Sequence, residues 1–349
     1  MASDFSPANP LVAADEVAAW LDDIPQPIAL TGGTGFVGSH LVETLCAAGL
    51  RPRVLVRDPD RPRWISAADV EWVAGDLDDH DALDRLVQDS GTVLHLAGVV
   101  RAGRAADFDR GNRLGTENLV GAVGRRAARA CVVHVSSLAA AGPSSDPRGR
   151  SPDDAPAPIS AYGRSKLGAE RAVAGLAGRN RWCVLRPPAI YGPRDTDVLE
   201  FFKMASRGVA LVPAGERWLT VAYVADVVRA VIAAAATATD GATYHLGEPA
   251  PRRFDELFDD LARTGDVRVR MVRVPGGVIA AAGAVGSVLQ RLGLQRIALT
   301  RDKATELVAR HWSSDTAGSL AALGLGVGVS FADGAAATWE WYRTRGWLG

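Results

Sequence analysis

Tyr162 and Lys166, four positions apart, are the pair of residues in this sequence best suited to catalytic chemistry. On a helix, residues i and i+4 share a face, so the two side chains would lie close together. A phenol has a pKa of about 10, and an ammonium group about 4 Å away, at an effective dielectric constant of roughly 20, stabilises the phenolate by about 4 kcal/mol, or about 3 pH units. Only three lysines occur in 349 residues, which makes a chance pairing improbable. The pair predicts a tyrosine that exchanges protons near neutral pH.

A second pattern suited to chemistry is the glycine-rich turn at 31–38. Glycine lets the backbone turn tightly and approach a pyrophosphate, and the following helix offers free N–H groups and its positive dipole end to that anion. The turn stands between an apolar strand at 27–31 and a helical run at 36–48, which is the order this mechanism requires. It predicts a dinucleotide site, with a simple tight turn as the alternative. The residues of this turn expected to bind the cofactor are Gly32, Thr34, Gly35, Phe36, Val37 and Gly38.

Short apolar strands alternate with helical segments around these two patterns. We expect strands at 27–31, 53–57, 70–74, 92–97, 131–136 and 182–186, and helices at 36–48, 79–88, 112–126 and 162–177. Such alternation predicts an α/β fold with a doubly wound parallel sheet of the Rossmann type. A helix at 222–236 and a strand at 243–246 would return to that sheet.

The same pattern predicts three parts of the chain. Residues 1–24 form an N-terminal helical extension, with a short amphipathic helix at 11–21. Residues 25–188 and 222–246 form the dinucleotide-binding Rossmann core. Residues 189–221 and 247–349, where the alternation becomes irregular, form a smaller substrate-binding lobe. That lobe would close a crevice over the carboxyl ends of the strands.

Further motifs follow in a fixed order along these elements. They are Gly-Asp-Leu at 75–77, Leu-Ala-Gly at 96–98, Asn112 followed by Gly-Thr-Glu-Asn-Leu at 115–119, Val-Ser-Ser at 135–137, Tyr-Gly-Arg-Ser-Lys at 162–166 and Arg-Pro-Pro-Ala-Ile-Tyr-Gly-Pro at 186–193. With the glycine turn, they resemble the extended short-chain dehydrogenase/reductase family, which includes NAD-dependent epimerases and dehydratases. The resemblance is firm over 26–247 and loose in the C-terminal lobe.

The resemblance implies roles for particular residues. Tyr162, Lys166 and Ser137 would be catalytic, and Lys166 would also bind the nicotinamide ribose. Beyond the glycine turn, contacts with the dinucleotide would come from Arg57, Asp76, Leu77, Leu96, Ala97, Gly98, Asn112, Tyr162, Lys166 and Pro187.

Three of these assignments have structural alternatives. Ser137 follows the fifth strand, and its hydroxyl could steady a developing alkoxide; a local turn contact is the alternative, and Ser136 is the competing serine. Asp76, which the resemblance places at adenine, could instead cap a turn. Asn112 could order the active-site helix or serve as a plain N-cap.

Coenzyme preference depends on the end of the second strand. Relatives that prefer NAD place an acid there to bind the ribose 2′-hydroxyl. This chain has Arg57, with Arg61 and Arg63 close behind. A guanidinium forms forked, charge-assisted hydrogen bonds with a 2′-phosphate. We therefore favour NADP over NAD, with an exposed arginine surface as the alternative.

Departures from the sugar-nucleotide pattern narrow the function. Sugar-nucleotide enzymes of the family have an asparagine that contacts the substrate diphosphate, and this chain has Ala189 at that position. Where they often have an arginine, this chain has Leu219, although Arg217 lies near. Leu138 and Ala139 replace the acidic pair that dehydratases need. What remains resembles the 3β-hydroxysteroid-dehydrogenase-like and flavonol-reductase-like branches. We expect an oxidoreductase that interconverts a secondary alcohol and a ketone on a small, apolar substrate; the alternatives are a sugar-nucleotide epimerase that retains NAD and a non-catalytic nucleotide sensor or assembly subunit.

Composition excludes several other classes. The net charge of −1 gives no sign of a nucleic-acid partner. The three separated cysteines and six histidines predict neither a disulfide framework nor a metal site. Residues 1–24 lack the features of a signal peptide, which predicts a cytoplasmic protein. The apolar run at 274–290 is too short for a membrane span, so we expect a buried or interface helix, with peripheral membrane contact through 274–294 and a homodimer left open.

Overall fold

The computed structural model describes residues 14–60, 63–65, 70–291 and 299–348. Its central strands are β1 (Ile28–Thr31), β2 (Arg53–Val56), β3 (Glu71–Ala74), β4 (Thr92–His95), β5 (Cys131–Val135), β6 (Arg181–Arg186) and β11 (Ala242–His245). They form one seven-stranded sheet in the order β11-β6-β5-β4-β1-β2-β3, and every pairing in it is parallel. The predicted doubly wound sheet is confirmed.

Helices connect and cover these strands. Up to β11 they are α1 (Ala14–Leu21), α2 (Phe36–Ala47), α3 (His80–Val87), α4 (Ala105–Phe108), α5 (Gly115–Arg126), α6 (Leu138–Ala141), α7 (Ala161–Ala174), α8 (Leu199–Ser206) and α9 (Val224–Thr237). After β11 come α10 (Phe254–Gly265), α11 (Gly276–Arg291), α12 (Arg301–Val308), α13 (Ala317–Ala322) and α14 (Phe331–Thr344).

The apolar runs form strands because helices cover both faces of the sheet. Every residue of β1, β4 and β5 is buried, as expected for parallel strands between two helical layers. Successive side chains alternate between the two faces. Leu30 packs in the core that contains α2 and α9 residues, and Ala29 packs in the core that contains α3 and α5 residues.

The part of the chain outside this sheet has its own core. Its strands are β7 (Ala189–Tyr191), β8 (Val209–Pro213), β9 (Trp218–Leu219), β10 (Val221–Tyr223), β12 (Arg252–Arg253), β13 (Arg270–Val274) and β14 (His311–Trp312). They pair as β7 with β10, β8 with β13, and β9 between β12 and β14. The aromatic rings of Phe202, Trp339 and Tyr342 pack edge to face at 5.2 Å beside them and join α8 to α14.

The predicted start of the helix at 112–126 is wrong. Helical structure begins at α4, passes through a π-helical turn over Asp109–Leu114, and only then becomes α5. A π turn holds one extra residue per turn and frequently marks a functional site. It contains Asn112, one of the predicted site residues.

The run at 274–290 does not form a core helix. It becomes α11, which packs on α12, while Val278, Val285, Val288 and Leu289 are exposed. No helix in the described part of the chain has both the length and the apolar character needed to cross a membrane.

Candidate active site

The turn between β1 and α2 requires glycine at two of its three predicted positions. Gly32 has a φ of +78°, and a Cβ there would lie 2.5 Å from the backbone nitrogen of Ala97. A Cβ at Gly38 would clash with the carbonyl oxygen of Gly32. Gly35 is the N-cap of α2 and has no side chain to cap the helix, so the first N–H groups of α2 are left for another acceptor. This backbone cradle fits a pyrophosphate.

The loop after β4 lies between the glycine turn and Lys166. It contains Leu96, Ala97 and Gly98, and Ala97 is the residue that approaches Gly32. A Cβ at Gly98 would lie 2.9 Å from Oδ1 of Asn112 and 3.7 Å from Nζ of Lys166. The structure therefore brings these predicted residues together.

Asn112 connects this loop to the helix that carries the tyrosine. Its Oδ1 accepts from the Val99 amide at 2.7 Å. Its Nδ2 donates to the Val99 carbonyl at 3.0 Å and to the Ser165 hydroxyl at 2.8 Å. The N-cap of α5 is Leu114, so Asn112 is not a plain cap of that helix but a positioning residue in the π turn.

Tyr162 and Ser137 meet in this region. Tyr162 lies in the first turn of α7, where the Ser160 hydroxyl accepts from the Gly163 amide at 2.9 Å. The Ser137 side chain lies close enough to the Tyr162 phenol to act on its pKa, and its hydroxyl accepts from the Ala139 amide at 3.1 Å. Ser137 therefore makes both the local turn contact and the contact with the tyrosine.

Lys166 is buried, with 4% of its surface exposed. Its Nζ donates to the Val135 carbonyl at the end of β5, at 2.8 Å. Burial lowers the pKa of Lys166 to about 8, and the nearby Glu170 opposes this effect. At neutral pH the side chain is still mostly protonated.

The expected drop in the pKa of Tyr162 is wrong. Burial raises the pKa of Tyr162 to about 12; the Ser137 side chain opposes that rise, and the carboxylates of Glu306 and Asp197 add to it. Desolvation of the phenolate is the largest cause, and Lys166, whose Nζ donates to the Val135 carbonyl, is not among the groups that shift the pKa of Tyr162. The phenol therefore holds its proton at neutral pH.

Ser136, the competing serine, has a structural partner. Its hydroxyl donates to Glu170 at 2.5 Å. The same carboxylate forms a bidentate pair with Arg186 at 2.9 and 2.7 Å. This buried triad joins β5, β6 and α7, and it leaves Ser137 as the serine available to Tyr162.

The residues predicted to contact the adenine and its ribose are exposed to solvent. Arg57 is exposed just beyond β2, and Asp76 is exposed beyond β3. The Asp76 carboxylate accepts from the Asp78 amide at 2.9 Å, so its turn-capping role is present. The Arg63 guanidinium lies 5.9 Å from the Trp64 ring centre. Arg61 lies outside the described residues.

Two more predicted cofactor residues have packing or backbone roles. The Leu77 side chain contacts Gly115 so closely that a Cβ there would lie 2.7 Å from it. Pro187 is buried, and its carbonyl accepts from the Leu138 amide at 2.8 Å. Their contact with a dinucleotide stays a prediction.

Arg217 is not placed to replace the diphosphate-binding arginine. It is 8% exposed. Its guanidinium donates to the carbonyls of Val308 and Ala309 at 2.8 and 2.7 Å and to that of Ala214 at 3.1 Å. The side chain ties β9 to the end of α12.

Sequence reasoning missed two acidic residues on one face of α12. The Asp302 carboxylate accepts from the amides of Ala161 and Tyr162, at 2.6 and 3.3 Å. Glu306, one turn later, has a buried Oε1 with no hydrogen-bond partner in the described structure. It is the first of the two carboxylates that raise the pKa of Tyr162. Only the spacing of four could have suggested that they share a face.

Comparison with known proteins identifies the family of this chain. Residues 28–247 match the model of the NAD dependent epimerase/dehydratase family. The chain belongs to this family. Ceramide reductase from Caulobacter vibrioides is 36% identical over 330 residues, which cover 92% of this chain and 96% of that protein. A farnesyl-dihydroquinoline-oxide ketoreductase from Stigmatella aurantiaca is 28% identical over 75% of this chain and 80% of that protein.

Solved structures of other proteins have the same fold. MoeE5, in complex with UDP-glucuronic acid and NAD, superimposes with a TM-score of 0.73 at 24% identity, over 92% of this chain and all of that one. UDP-glucose 4-epimerase from Thermotoga maritima gives 0.74 at 22% identity, over 91% and 99%. The prediction of an extended short-chain dehydrogenase/reductase enzyme that carries out NAD(P)-dependent oxidoreduction is confirmed. Its cofactor is a nicotinamide dinucleotide.

Proposed function

We propose that this family member reduces the ketone of a long-chain lipid amide of the ceramide class to a secondary alcohol, with NADPH as the reductant. The observation that carries the proposal is the similarity to ceramide reductase along nearly the whole of both chains. In the candidate site, Tyr162 is the proton donor that such a reduction needs. Because the pKa of the phenol is about 12, it carries a proton at neutral pH. A carbonyl oxygen that becomes a hydroxyl group needs that proton from a general acid.

Each residue of the site has a task in this reduction. Tyr162 gives its proton to the carbonyl oxygen. Ser137, which lies beside the phenol and lowers its pKa, steadies the negative charge that develops on the same oxygen. Lys166 provides a positive charge below its pKa of about 8. Asn112 holds the loop after β4 against α7.

The glycine turn and its neighbours would hold the dinucleotide. The backbone at Gly32, Gly35 and Gly38 and the N-terminus of α2 would take the pyrophosphate. Arg57 would take a 2′-phosphate, which supports NADP over NAD. When bound, the dinucleotide supplies the hydride for the carbonyl carbon.

The substrate class rests on the match to ceramide reductase along nearly the whole of both chains. Two features of this chain support it. Arg217 is occupied by three carbonyls, so it is not placed to bind a sugar-nucleotide diphosphate. Glu306 offers a buried, unpartnered oxygen on the tyrosine side of α12, which suits an amide N–H or hydroxyl donor beside a ketone.

The test uses the purified full chain with NADPH and an N-acylated long-chain 3-oxo base. We expect consumption of NADPH and a product heavier by two hydrogens in mass spectrometry. The matched control substrate is the same 3-oxo base without its N-acyl group, which should react at least tenfold more slowly if Glu306 takes the amide N–H. Comparable rates for both substrates would exclude the amide contact.

The epimerase alternative gives a different result in the same preparation. An epimerase would retain NAD through purification and invert UDP-glucose without net consumption of reduced coenzyme. That outcome, together with no turnover of the 3-oxo lipid, would overturn the proposed function.

A further inference from the structure

Helix α11 exposes an apolar stripe along its full length. Val278, Val285, Val288 and Leu289 are exposed, and the alanines at 281 and 282 between them are exposed as well. Their spacing of three and four residues places them on one face. Val285 and Val288 are 59% and 53% exposed. A contiguous patch of this kind is unusual on a monomeric protein in water and marks an interaction surface.

The opposite face of α11 is already occupied. Ile279, Gly283 and Gly286 are buried. A Cβ at Gly283 would clash with the Ala304 side chain of α12, so the two helices pack closely through small residues. The exposed stripe is therefore an outer surface left over after α11 has packed, and not a helix waiting to be buried in the core.

Basic residues are frequent in the segments that precede and follow α11. In the described stretches 268–290 and 299–310, all six basic residues are exposed: Arg268, Arg270, Arg273, Arg301, Lys303 and Arg310. The two acids there, Asp302 and Glu306, are half-buried; Asp302 accepts from the first amides of α7, and Glu306 pairs with Lys303 at 3.4 Å. Arg273 pairs with Asp255 of α10 at 2.6 Å, so the positive charge of this surface comes from Arg268, Arg270, Arg301 and Arg310. The Arg301 amide donates to the Ser287 hydroxyl at 2.7 Å, which places Arg301 next to the stripe. A region with a positive surface is thus present in a chain whose net charge is −1.

We propose that α11 and these basic residues dock the enzyme on the surface of a phospholipid bilayer that carries anionic headgroups. The stripe enters the headgroup boundary with the helix parallel to the membrane plane, and the arginines bind the headgroups. The docked state is peripheral, since no described helix can span a bilayer. Leu211 and Val272, paired across β8 and β13 and both exposed, extend the apolar surface from the strand that leads into α11.

The docking surface adjoins the candidate active site through α12. One face of α12 packs against α11, while Asp302 on the same helix accepts from the amides of Ala161 and Tyr162. A lipid substrate would then reach Tyr162 from the membrane side. The docking itself does not rest on the proposed reaction, because it is measured without substrate or coenzyme.

The test is co-flotation of the full chain with vesicles of phosphatidylcholine alone and of phosphatidylcholine with phosphatidylglycerol. We expect binding to the anionic vesicles that weakens as salt is added. The double substitution Val285→Glu and Val288→Glu should weaken binding at least tenfold. Val327→Glu is the matched control, since Val327 is 82% exposed and lies outside the stripe. All three side chains are on the surface, so unchanged melting curves will show that the variants fold.

The charge contribution is tested separately. Arg270→Gln with Arg301→Gln should weaken binding about 25-fold, at about fivefold for each arginine near an anionic surface. Arg148→Gln with Arg179→Gln, both exposed and elsewhere, removes the same charge and should leave binding within about twofold. Two results would overturn the proposal. One is binding that neither double substitution changes, or no binding at all. The other is a wild-type dimer that Val285→Glu with Val288→Glu converts to monomer in sedimentation, without vesicle binding, because α11 would then be covered by a second copy.

Discussion

Replacement of Lys166 by methionine should separate the stability of this protein from its activity. Lys166 is buried, and its Nζ bonds the Val135 carbonyl. Methionine fills a similar volume without the charge. We expect Lys166→Met to lose most turnover and coenzyme affinity, yet to be at least as stable as the wild type at pH 7.

The magnitude follows from the pKa of Lys166. Burial lowers it from 10.5 to about 8, and each unit corresponds to 1.36 kcal/mol, so the charged lysine costs about 3 kcal/mol of folding free energy at neutral pH. Loss of the donor to the Val135 carbonyl offsets about 1–3 kcal/mol of that. The variant should therefore be more stable by about 0–2 kcal/mol at pH 7.

The difference in stability between Lys166→Met and the wild type changes sign as the pH rises. Between about pH 8 and 10.5 the unfolded wild type binds a proton at Lys166 that the folded protein has released, so wild-type stability rises with pH through this window. Relative to Lys166→Met, the wild type should gain about 2.5 kcal/mol between pH 7 and pH 10. The difference between the two proteins isolates Lys166, because every other titrating group is present in both.

The assay is urea denaturation of both proteins at half-unit steps of pH, with NADPH-dependent turnover measured on the same samples. A flat stability difference from pH 7 to pH 10 would refute the buried, poorly solvated ammonium. Wild-type turnover in the variant would refute its catalytic role, whatever the stability curves show.

Other substitutions probe the remaining assignments. Tyr162→Phe should lower turnover by about 10²- to 10⁴-fold while leaving the dissociation constant for NADPH, measured by fluorescence, within about twofold; a normal rate would exclude the phenol as the acid. Arg57→Ala should reduce kcat/KM for NADPH by about 10- to 100-fold and leave that for NADH nearly unchanged, and a wild type that already prefers NADH would show the coenzyme preference to be wrong. Glu306→Gln should lower the pKa of Tyr162, because it removes a carboxylate that helps to raise that pKa. Alcohol oxidation needs the phenolate, so the pH profile of oxidation should move to lower pH. The control Glu200→Gln, on the exposed side of α8, should leave that profile unchanged. Ser137→Ala should reduce turnover with little loss of stability, whereas Ser136→Ala should mainly destabilise the protein, since its partner is the buried Glu170; equal effects on melting temperature would contradict this division.

The core of the fold could be predicted because its signals are local. Each apolar run of four to six residues became a strand of the sheet, although only Val73 of the edge strand β3 is buried. The glycine turn was expected between β1 and α2, where backbone contacts require Gly32 and Gly38. Strand and helix periodicity report burial on one or two faces, which is what a parallel sheet between helical layers imposes. The helix at 112–126 failed for a related reason, since its period cannot reveal a π turn that is set by the contacts of Asn112.

The electrostatics of the site could not be predicted from spacing. Tyr162 and Lys166 do lie on one helix, but the expected Coulomb effect took no account of desolvation. In the structure, burial dominates at both groups, raising the pKa of the phenol and lowering that of the ammonium. Burial depends on every element packed around the pair, so it cannot be predicted from residue spacing along one helix.

The position of the tyrosine depends on a residue far along the chain. Asp302 accepts from the first amides of α7, 140 and 141 residues away, where a carboxylate also interacts favourably with the positive end of the helix dipole. Arg217 ties the end of the same α12 helix to β9 through the carbonyls of Val308 and Ala309. The C-terminal segment therefore fixes α7 at the end that carries Tyr162. We therefore expect a displacement of α12 to move Tyr162 and change its pKa, because Asp302 and Glu306 lie on that helix.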